Sequence, residues 1–166
     1  MERTRIVEPS HIEAKPSFSV FYRDHFAGAV ALAHALAGSR RAEDVAQDAL
    51  LAAYRKWDEL DEPEHWLRRV IANRSRSALR RAYAEARAVA RIGSPPAEVA
   101  VPVPTDDFWA VVRKLPRRQA QVIALRYLEE LSTIEVAAVL DITEATVRVH
   151  LHRARQKLAT KFGDSS

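Results

Sequence analysis

The chain has 166 residues, of which 48% are hydrophobic and 29% are charged, a composition typical of one ordinary folded domain or two small ones. It contains no cysteine, which excludes disulfides and thiolate metal sites. Its formal net charge is +4. The sequence has no run of about 18 apolar residues, so no membrane span is predicted. The first residues lack the apolar stretch of a secretory signal.

Charged residues are unevenly distributed along the chain. Basic residues concentrate in residues 68–91 and 148–161, whereas acidic residues concentrate in residues 39–64. Two basic zones separated by a neutral stretch suggest a polyanion that contacts the chain at two places. Two well-solvated helix faces would give the same distribution, so charge alone leaves both interpretations open.

Residues 1–16 have no periodicity, and we expect them to form a flexible arm. A first helix is predicted from Phe18 to about Ala37, with Gly38 closing it. Its apolar positions are Phe18, Phe21, Tyr22, Phe26, Val30 and Ala33. A second, amphipathic helix is predicted within residues 41–60. Its apolar stripe consists of Ala42, Val45, Ala46, Ala49, Leu50, Ala53, Tyr54 and Trp57.

A third helix is expected to begin near Pro63, which suits a first helical turn, and to carry an arginine-rich face. Residues 93–107 then hold four prolines and a glycine, so this segment is predicted to be a semi-stiff linker. Further helical segments follow at 108–115 and 117–131, and no segment reads as a strand. The sequence therefore predicts an all-α chain of two small helical domains joined by a Pro-rich linker.

Residues 132–158 predict a helix-turn-helix. Ser132 and Glu135 have the spacing of a capping box, and Thr143 is placed to cap the second helix after a tight turn. In the first helix, the residues expected to face a core are Ile134, Ala137, Ala138 and Leu140. In the second helix, the buried stripe is expected to be Val147, Leu151, Ala154 and Leu158. The opposite face holds Ala145, Val149, His152 and Gln156, flanked by Arg148 and Arg153. Such a helix is suited to binding in a DNA major groove. A solvated helix in a helical bundle would have the same buried apolar stripe, so that interpretation also stays open.

The segment LPRRQAQVIALRYLEELSTIEVAAVLDITEATVRVHLHRARQKL resembles region 4 of bacterial sigma factors of the extracytoplasmic function (ECF) class. The matching residues are Leu115, Pro116, Leu125, Tyr127, Ser132, Glu135, Ala137, Thr146, Val147, Arg153, Ala154 and Arg155. The segments EDVAQDALLAAYRKW and WLRRVIANRSRSALRR are similar to region 2 of the sigma-70 family, to which the ECF class belongs. The alanine- and arginine-rich composition is similar to that of actinobacterial members. The chain departs from the family at Ser77, Leu50 and Ala145, where an aspartate, an aromatic residue and a glycine are common.

The resemblance implies an alternative sigma factor, which binds core RNA polymerase and directs promoter-specific initiation by reading the −35 element and melting the −10 element. It implies a region 2-like domain at 17–91, a linker at 92–106, a region 4-like domain at 107–161 and a tail at 162–166. The expected partners are the β′ coiled coil and the β flap of core polymerase, promoter DNA and an anti-sigma factor. The expected setting is cytoplasmic, without membrane insertion, catalytic activity, cofactor or metal.

The resemblance and the residue types together nominate four sets of site residues. The −35 element would be read by Arg148, Val149, His152 and Arg153. DNA phosphates would be contacted by Arg117, Arg118 and Arg126. The −10 element needs aromatic or amide partners for unpaired bases and arginines for phosphates, which are supplied by Trp66, Arg69, Asn73, Arg74, Arg76, Arg80 and Arg81. Core polymerase would bind the acidic face formed by Glu43, Asp44, Gln47 and Asp48. Trp66 also fits core packing beside Leu67 and Val70, and Asn73 also fits a surface amide.

Two other functions stay open at this point. A one-component regulator would use the helix-turn-helix to bind an operator as a dimer, and a sigma-mimicking antagonist would occupy polymerase without reading DNA. No catalytic or metal-binding constellation competes with these functions, because His150 and His152 point about 200° apart on a helix and the other histidines lack ligand spacing.

Overall fold

The computed structural model describes residues 14–93 and 106–163, and within these ranges the chain is helical without strands. Most of the expected arm (residues 1–13 of 1–16), most of the expected linker (94–105) and the end of the tail (164–166) lie outside the described residues. The helices are α1 (Phe18–Ala37), α2 (Ser39–Arg55), α3 (Pro63–Ile92), α4 (Asp106–Arg113), α5 (Arg117–Ile123), α6 (Thr133–Leu140) and α7 (Glu144–Gly163). A 3₁₀ turn (Trp57–Glu59) follows α2, and a π-helical turn (Ala124–Leu128) extends α5.

Local signals place the ends of α1 and α3 as predicted. Ser17 caps α1 by accepting a hydrogen bond from the Val20 amide at 3.4 Å. Gly38 has a φ of 88°, a conformation that disfavours side chains, and it turns the chain directly from α1 into α2. Pro63 occupies the first turn of α3, where its missing N–H leaves no helical hydrogen bond unmade.

The helices α1, α2 and α3 pack on one another through the predicted apolar stripes. Small residues allow α1 and α2 to approach closely, because Ala33, Ala46 and Ala49 are fully buried. The prediction was wrong for Tyr54, which is 60% exposed, and Tyr22 is exposed as well. Both tyrosines lie at the edge of their stripes and take part in a surface cluster of rings, with the Tyr54 and Phe18 centroids 5.0 Å apart.

The capping box of the helix-turn-helix is present. The Ser132 amide donates to Glu135 Oε2 at 2.7 Å, and the Glu135 amide donates to Ser132 Oγ at 3.2 Å. Thr143 Oγ1 accepts from the Thr146 amide at 3.2 Å, which confirms Thr143 as the cap of α7. Asp141 has a φ of 55° and makes the tight turn between the two helices.

The buried stripe of α7 is as predicted, with Val147, Leu151, Ala154 and Leu158 all in the core. The expectation for α6 was wrong at two positions, since Ile134 is 66% exposed and Ala138 is also exposed. At about 100° per residue these two lie on one face of α6, opposite the buried residues. The residues of α6 that face the core are Val136, Ala137, Val139 and Leu140.

The two-domain helical layout is confirmed, and the two domains pack against each other. The N-terminal domain (α1–α3) and the C-terminal domain (α4–α7) contribute to one continuous cluster of buried apolar residues. Gln121, which is buried, donates from Nε2 to the Ala72 carbonyl at 3.1 Å across this boundary. We call this packing of the two domains against each other the closed arrangement. The predicted linker between two domains did not indicate that they would pack together. Among the described helices, none has the length and apolar character needed to cross a membrane.

Candidate nucleic-acid interface

The exposed face of α7 carries the four residues nominated for the −35 element. Arg148, Val149, His152 and Arg153 are all exposed. Val149, an apolar residue, is 45% exposed near the centre of this face, where burial in the protein would be the usual outcome. Since the helix buries its opposite side against α5 and α6, this face is free to enter a groove.

Glu144, in the first turn of α7, organises one of these residues. Its Oε1 atom accepts from Arg148 Nη2 at 2.7 Å and from Arg148 Nε at 3.3 Å. The same oxygen accepts from Thr133 Oγ1 at 2.8 Å, which links α7 to the start of α6. Hydrogen bonds from Arg148 and then from Thr133 hold the pKa of Glu144 below its usual value. The sequence analysis missed Glu144, although its i,i+4 spacing to Arg148 was a signal.

The arginines nominated for phosphate contact lie on α5 and the following π-helical turn, and each has a partner within the protein. Arg117 bonds to Asn73, Arg118 Nη1 donates to Gln121 Oε1 at 3.1 Å, and Arg126 lies 5.9 Å from the centre of the Tyr127 ring. Arg118 also lies close enough to α7 to act on His150. Burial, followed by the charges of Arg153 and Arg118, lowers the pKa of His150.

Two residues nominated for the −10 element bind the C-terminal domain instead of facing solvent freely. Asn73 Oδ1 accepts from Arg117 Nη2 at 2.7 Å. Arg69 donates from Nε to the Val139 carbonyl and from Nη2 to the Ala138 carbonyl, both at 2.8 Å. These carbonyls end α6, where the helix dipole favours a cation.

The other −10 candidates are distributed along α3. Arg74, Arg80 and Arg81 are exposed, and Arg76 is half-buried. Arg76 and Arg80 approach Arg117: partial burial first, then the charges of Arg118, Arg76 and Arg80, lower the pKa of Arg117. The closed arrangement therefore gathers arginines of α3 and α5 into one positively charged surface.

Trp66 is half-buried and lies outside the apolar cluster to which the neighbouring Leu67 and Val70 belong. Its surroundings therefore differ from those of a tryptophan packed in the core, which was the other role that the sequence allowed for Trp66. Base stacking by Trp66 stays a prediction.

The acidic face of α2 is exposed as expected for a docking surface. Its members are Glu43, Asp44, Gln47 and Asp48. Gln47 Nε2 donates to Glu43 Oε1 at 3.3 Å, so the face is organised along the helix. Alanines on the opposite side of α2 are buried, which fixes the orientation of the acidic face.

A half-buried ion pair between the domains was not anticipated from the sequence. Arg68 Nε lies 2.7 Å from Glu129 Oε2, and Arg68 Nη1 lies 3.6 Å from Glu64 Oε2. No short-range pattern links residues 68 and 129. Within the described ranges, no group of three or more histidine and acidic side chains is arranged to hold a metal ion.

Two family models match the chain, one in each of the two helical domains. The model for sigma-70 region 2 matches residues 21–85, which lie in α1 to α3. The model for sigma-70 region 4 matches residues 105–158, which include α5, α6 and most of α7. The exposed α7 face thus belongs to the region 4 match, and the arginine-rich α3 to the region 2 match.

Curated relatives align with most of the chain. The ECF RNA polymerase sigma factor SigW of Bacillus subtilis is 28% identical over 148 residues, covering 78% of this chain and 79% of that protein. The RNA polymerase sigma-E factor of Streptomyces coelicolor is 30% identical over 122 residues, covering 70% of this chain and 69% of that protein.

Solved structures share the fold. The sigma factor RpoE in complex with the anti-sigma factor NepR from Bartonella quintana has a TM-score of 0.68 at 24% identity, covering 86% of this chain and 94% of that one. CnrH in complex with the cytosolic domain of CnrY has a TM-score of 0.67 at 25% identity, covering 90% and 89%. With both domain matches, the named relatives and this fold, the chain belongs to the ECF class of sigma-70 family RNA polymerase sigma factors.

Proposed function

We propose that this alternative sigma factor, which directs promoter-specific transcription, reads the −35 element through Arg148, Val149, His152 and Arg153. The observation that carries the proposal is their exposure on the face of α7 opposite its buried stripe. An arginine there can bind guanine through two hydrogen bonds, and Val149 can contact a thymine methyl group. Arg117, Arg118 and Arg126, on α5 and the π-helical turn that follows it, would contact phosphates and set the register of the helix.

The −10 element would be held by α3. Its exposed arginines, Arg74, Arg80 and Arg81, supply phosphate contacts, and the half-buried Arg76 supports the same surface. Asn73 would read a base edge and the exposed part of Trp66 would stack on an unpaired base. Because Asn73 and Arg69 bind the C-terminal domain in the closed arrangement, the two domains would separate before these side chains reach DNA.

Core polymerase would bind the acidic face of α2, with the β′ coiled coil as the basic partner and the β flap contacting the C-terminal domain. The domain limits that we propose, 17–91 and 107–161, are supported by the two family matches. The chain would act in the cytoplasm, where core polymerase works, and would contribute specificity without catalysis. An anti-sigma factor is a further proposed partner, supported by the complexes in which similar folds were solved.

The experiment is multi-round transcription on a fragmented bacterial genome by core RNA polymerase, with and without this chain. Discrete new start sites that share one −35/−10 pair would support the proposal and would supply the promoter sequence. Binding to core without a new start would point to an antagonist. DNA binding without binding to core would contradict the assignment and favour a one-component regulator.

A further inference from the structure

Glu144 is placed between the protein and the exposed end of Arg148. Its side chain retains 36% of its exposure, whereas that of Arg148 retains 70%. The acid is thus held against the C-terminal domain and the guanidinium extends from it into solvent. Glu144 stands N-terminal to Arg148 at i,i+4, the more favourable orientation for such a pair on a helix.

The hydrogen bonds distinguish this pair from an ordinary surface ion pair. Arg148 offers Glu144 the edge of the guanidinium formed by Nε and Nη2, at 3.3 and 2.7 Å. Thr133, from a different helix, donates to the same carboxylate oxygen and so restricts the acid from behind. Exposed ion pairs contribute little to stability in general, so restriction of Arg148 is the larger consequence of this arrangement.

This restriction matters because of where Arg148 lies. At about 100° per residue, Arg148 is on the flank of the exposed face, whereas Val149 is near its centre. An unrestrained arginine on the flank can swing to phosphates on either side of a groove. Bonded to the first turn of α7, its guanidinium stays near the helix end that contacts base edges in helix-turn-helix proteins. The other edge of the guanidinium, formed by Nη1 and the second hydrogen of Nη2, stays available for the two acceptors of a guanine.

We propose that Glu144 is a positioning residue for promoter recognition: anchored by Thr133, it holds Arg148 in the orientation that reads a −35 base pair. The proposal rests on the proposed −35 role of Arg148. Under this proposal Glu144 contributes to promoter specificity without contacting DNA itself. Thr133, at the start of α6, contributes as well because it anchors Glu144.

The test uses holoenzyme assembled from core RNA polymerase and the full chain. A double-stranded promoter library, with the −35 element randomised and the rest taken from a promoter found by the transcription experiment, is selected by binding and sequenced. The variants are Arg148→Ala, Glu144→Ala, Glu144→Gln and Thr133→Val. Asp141→Asn is the matched control, because it removes an exposed acid next to α7 in a turn conformation that asparagine tolerates.

We expect Arg148→Ala to abolish the preference at one or two base pairs, on the order of tenfold or more in selectivity. Glu144→Ala should weaken the preference at the same pairs and strengthen binding to unrelated DNA, because a negative charge beside the phosphates is lost. Thr133→Val should give a smaller loss at the same pairs. Glu144→Gln keeps an acceptor oxygen and should retain part of the preference, and Asp141→Asn should leave the pattern unchanged.

Each contrary result has a separate meaning. If Arg148→Ala changes no position, the proposed −35 role of Arg148 is wrong. If Arg148→Ala changes the pattern and Glu144→Ala does not, the positioning proposal is wrong while the −35 role stands. If Glu144→Ala alters a different base pair, Glu144 reads a base itself and does not position Arg148. A lower melting temperature with an unchanged pattern would show that the contact serves stability alone.

Discussion

Asn73 and Arg117 face each other across the boundary between the two domains, with Arg117 Nη2 at 2.7 Å from Asn73 Oδ1. The sequence nominates the first for the −10 element and the second for a DNA phosphate. With the two domains packed together, each of these side chains is hydrogen-bonded to the other. Arg69 is similarly hydrogen-bonded to the carbonyls at the end of α6. Three residues nominated for DNA binding thus also help to join the domains.

Removing these contacts should favour domain separation. We expect Arg69→Ala combined with Arg117→Ala to weaken the closed arrangement by about 1–2 kcal/mol, a factor of roughly 5 to 30 in the equilibrium between closed and open forms. The chain has no cysteine, so Gln47→Cys and Gln156→Cys provide sites for a pair of dyes. Energy transfer between the dyes should fall in the double variant.

The control for this measurement is Arg74→Ala, which removes an exposed arginine of α3. Its transfer efficiency should match that of the parent chain. Equal efficiency in the Arg69→Ala/Arg117→Ala variant would mean that the apolar cluster alone holds the domains together, and that DNA has to displace the arginines itself.

A buried amide contributes to the same boundary. Gln121 donates to the Ala72 carbonyl and accepts from Arg118, so Gln121→Ala removes two hydrogen bonds and leaves a small cavity. We expect the free energy of unfolding to fall by about 1–3 kcal/mol, measured by urea unfolding. Gln156→Ala, at an exposed position of α7, should change it by less than about 0.5 kcal/mol. Similar values for the two variants would contradict the role of Gln121 at the boundary.

Short-range chemistry accounts for what the sequence predicted well. The capping box of Ser132 and Glu135, the closing Gly38 and the first-turn Pro63 all depend on neighbours within a few positions. Buried stripes were also read correctly, except at edges such as Tyr54 and in the short α6. The closed arrangement could not be predicted in this way, because Arg69 and the Val139 carbonyl are 70 positions apart. Nothing in either local pattern identifies an arginine as the partner of a distant helix end.

The capping box should make stability depend on pH. Hydrogen bonds from the Ser132 amide and then from its side chain lower the pKa of Glu135 below its usual value. Because the folded-state pKa is depressed, the stabilisation is complete above the unfolded value and is lost as pH falls through the folded value. The difference in unfolding free energy between the parent chain and Glu135→Gln should therefore be constant near neutral pH and shrink below about pH 4.5. A difference that persists unchanged at pH 3 would contradict this cause.

The acidic face of α2 should govern the rate of binding to core polymerase. Reversing the charge at two positions, Asp44→Arg with Asp48→Arg, replaces attraction to a basic partner by repulsion. We expect the association rate to fall by about tenfold or more at low salt, with a smaller effect as salt screens the charges. The measurement is stopped-flow anisotropy of the dye-labelled chain mixed with core polymerase. Asp24→Arg, an exposed acid of α1, is the control and should change the rate little. If Asp24→Arg slowed association as much as the double reversal, overall charge would be the cause and the α2 face would not be the docking surface.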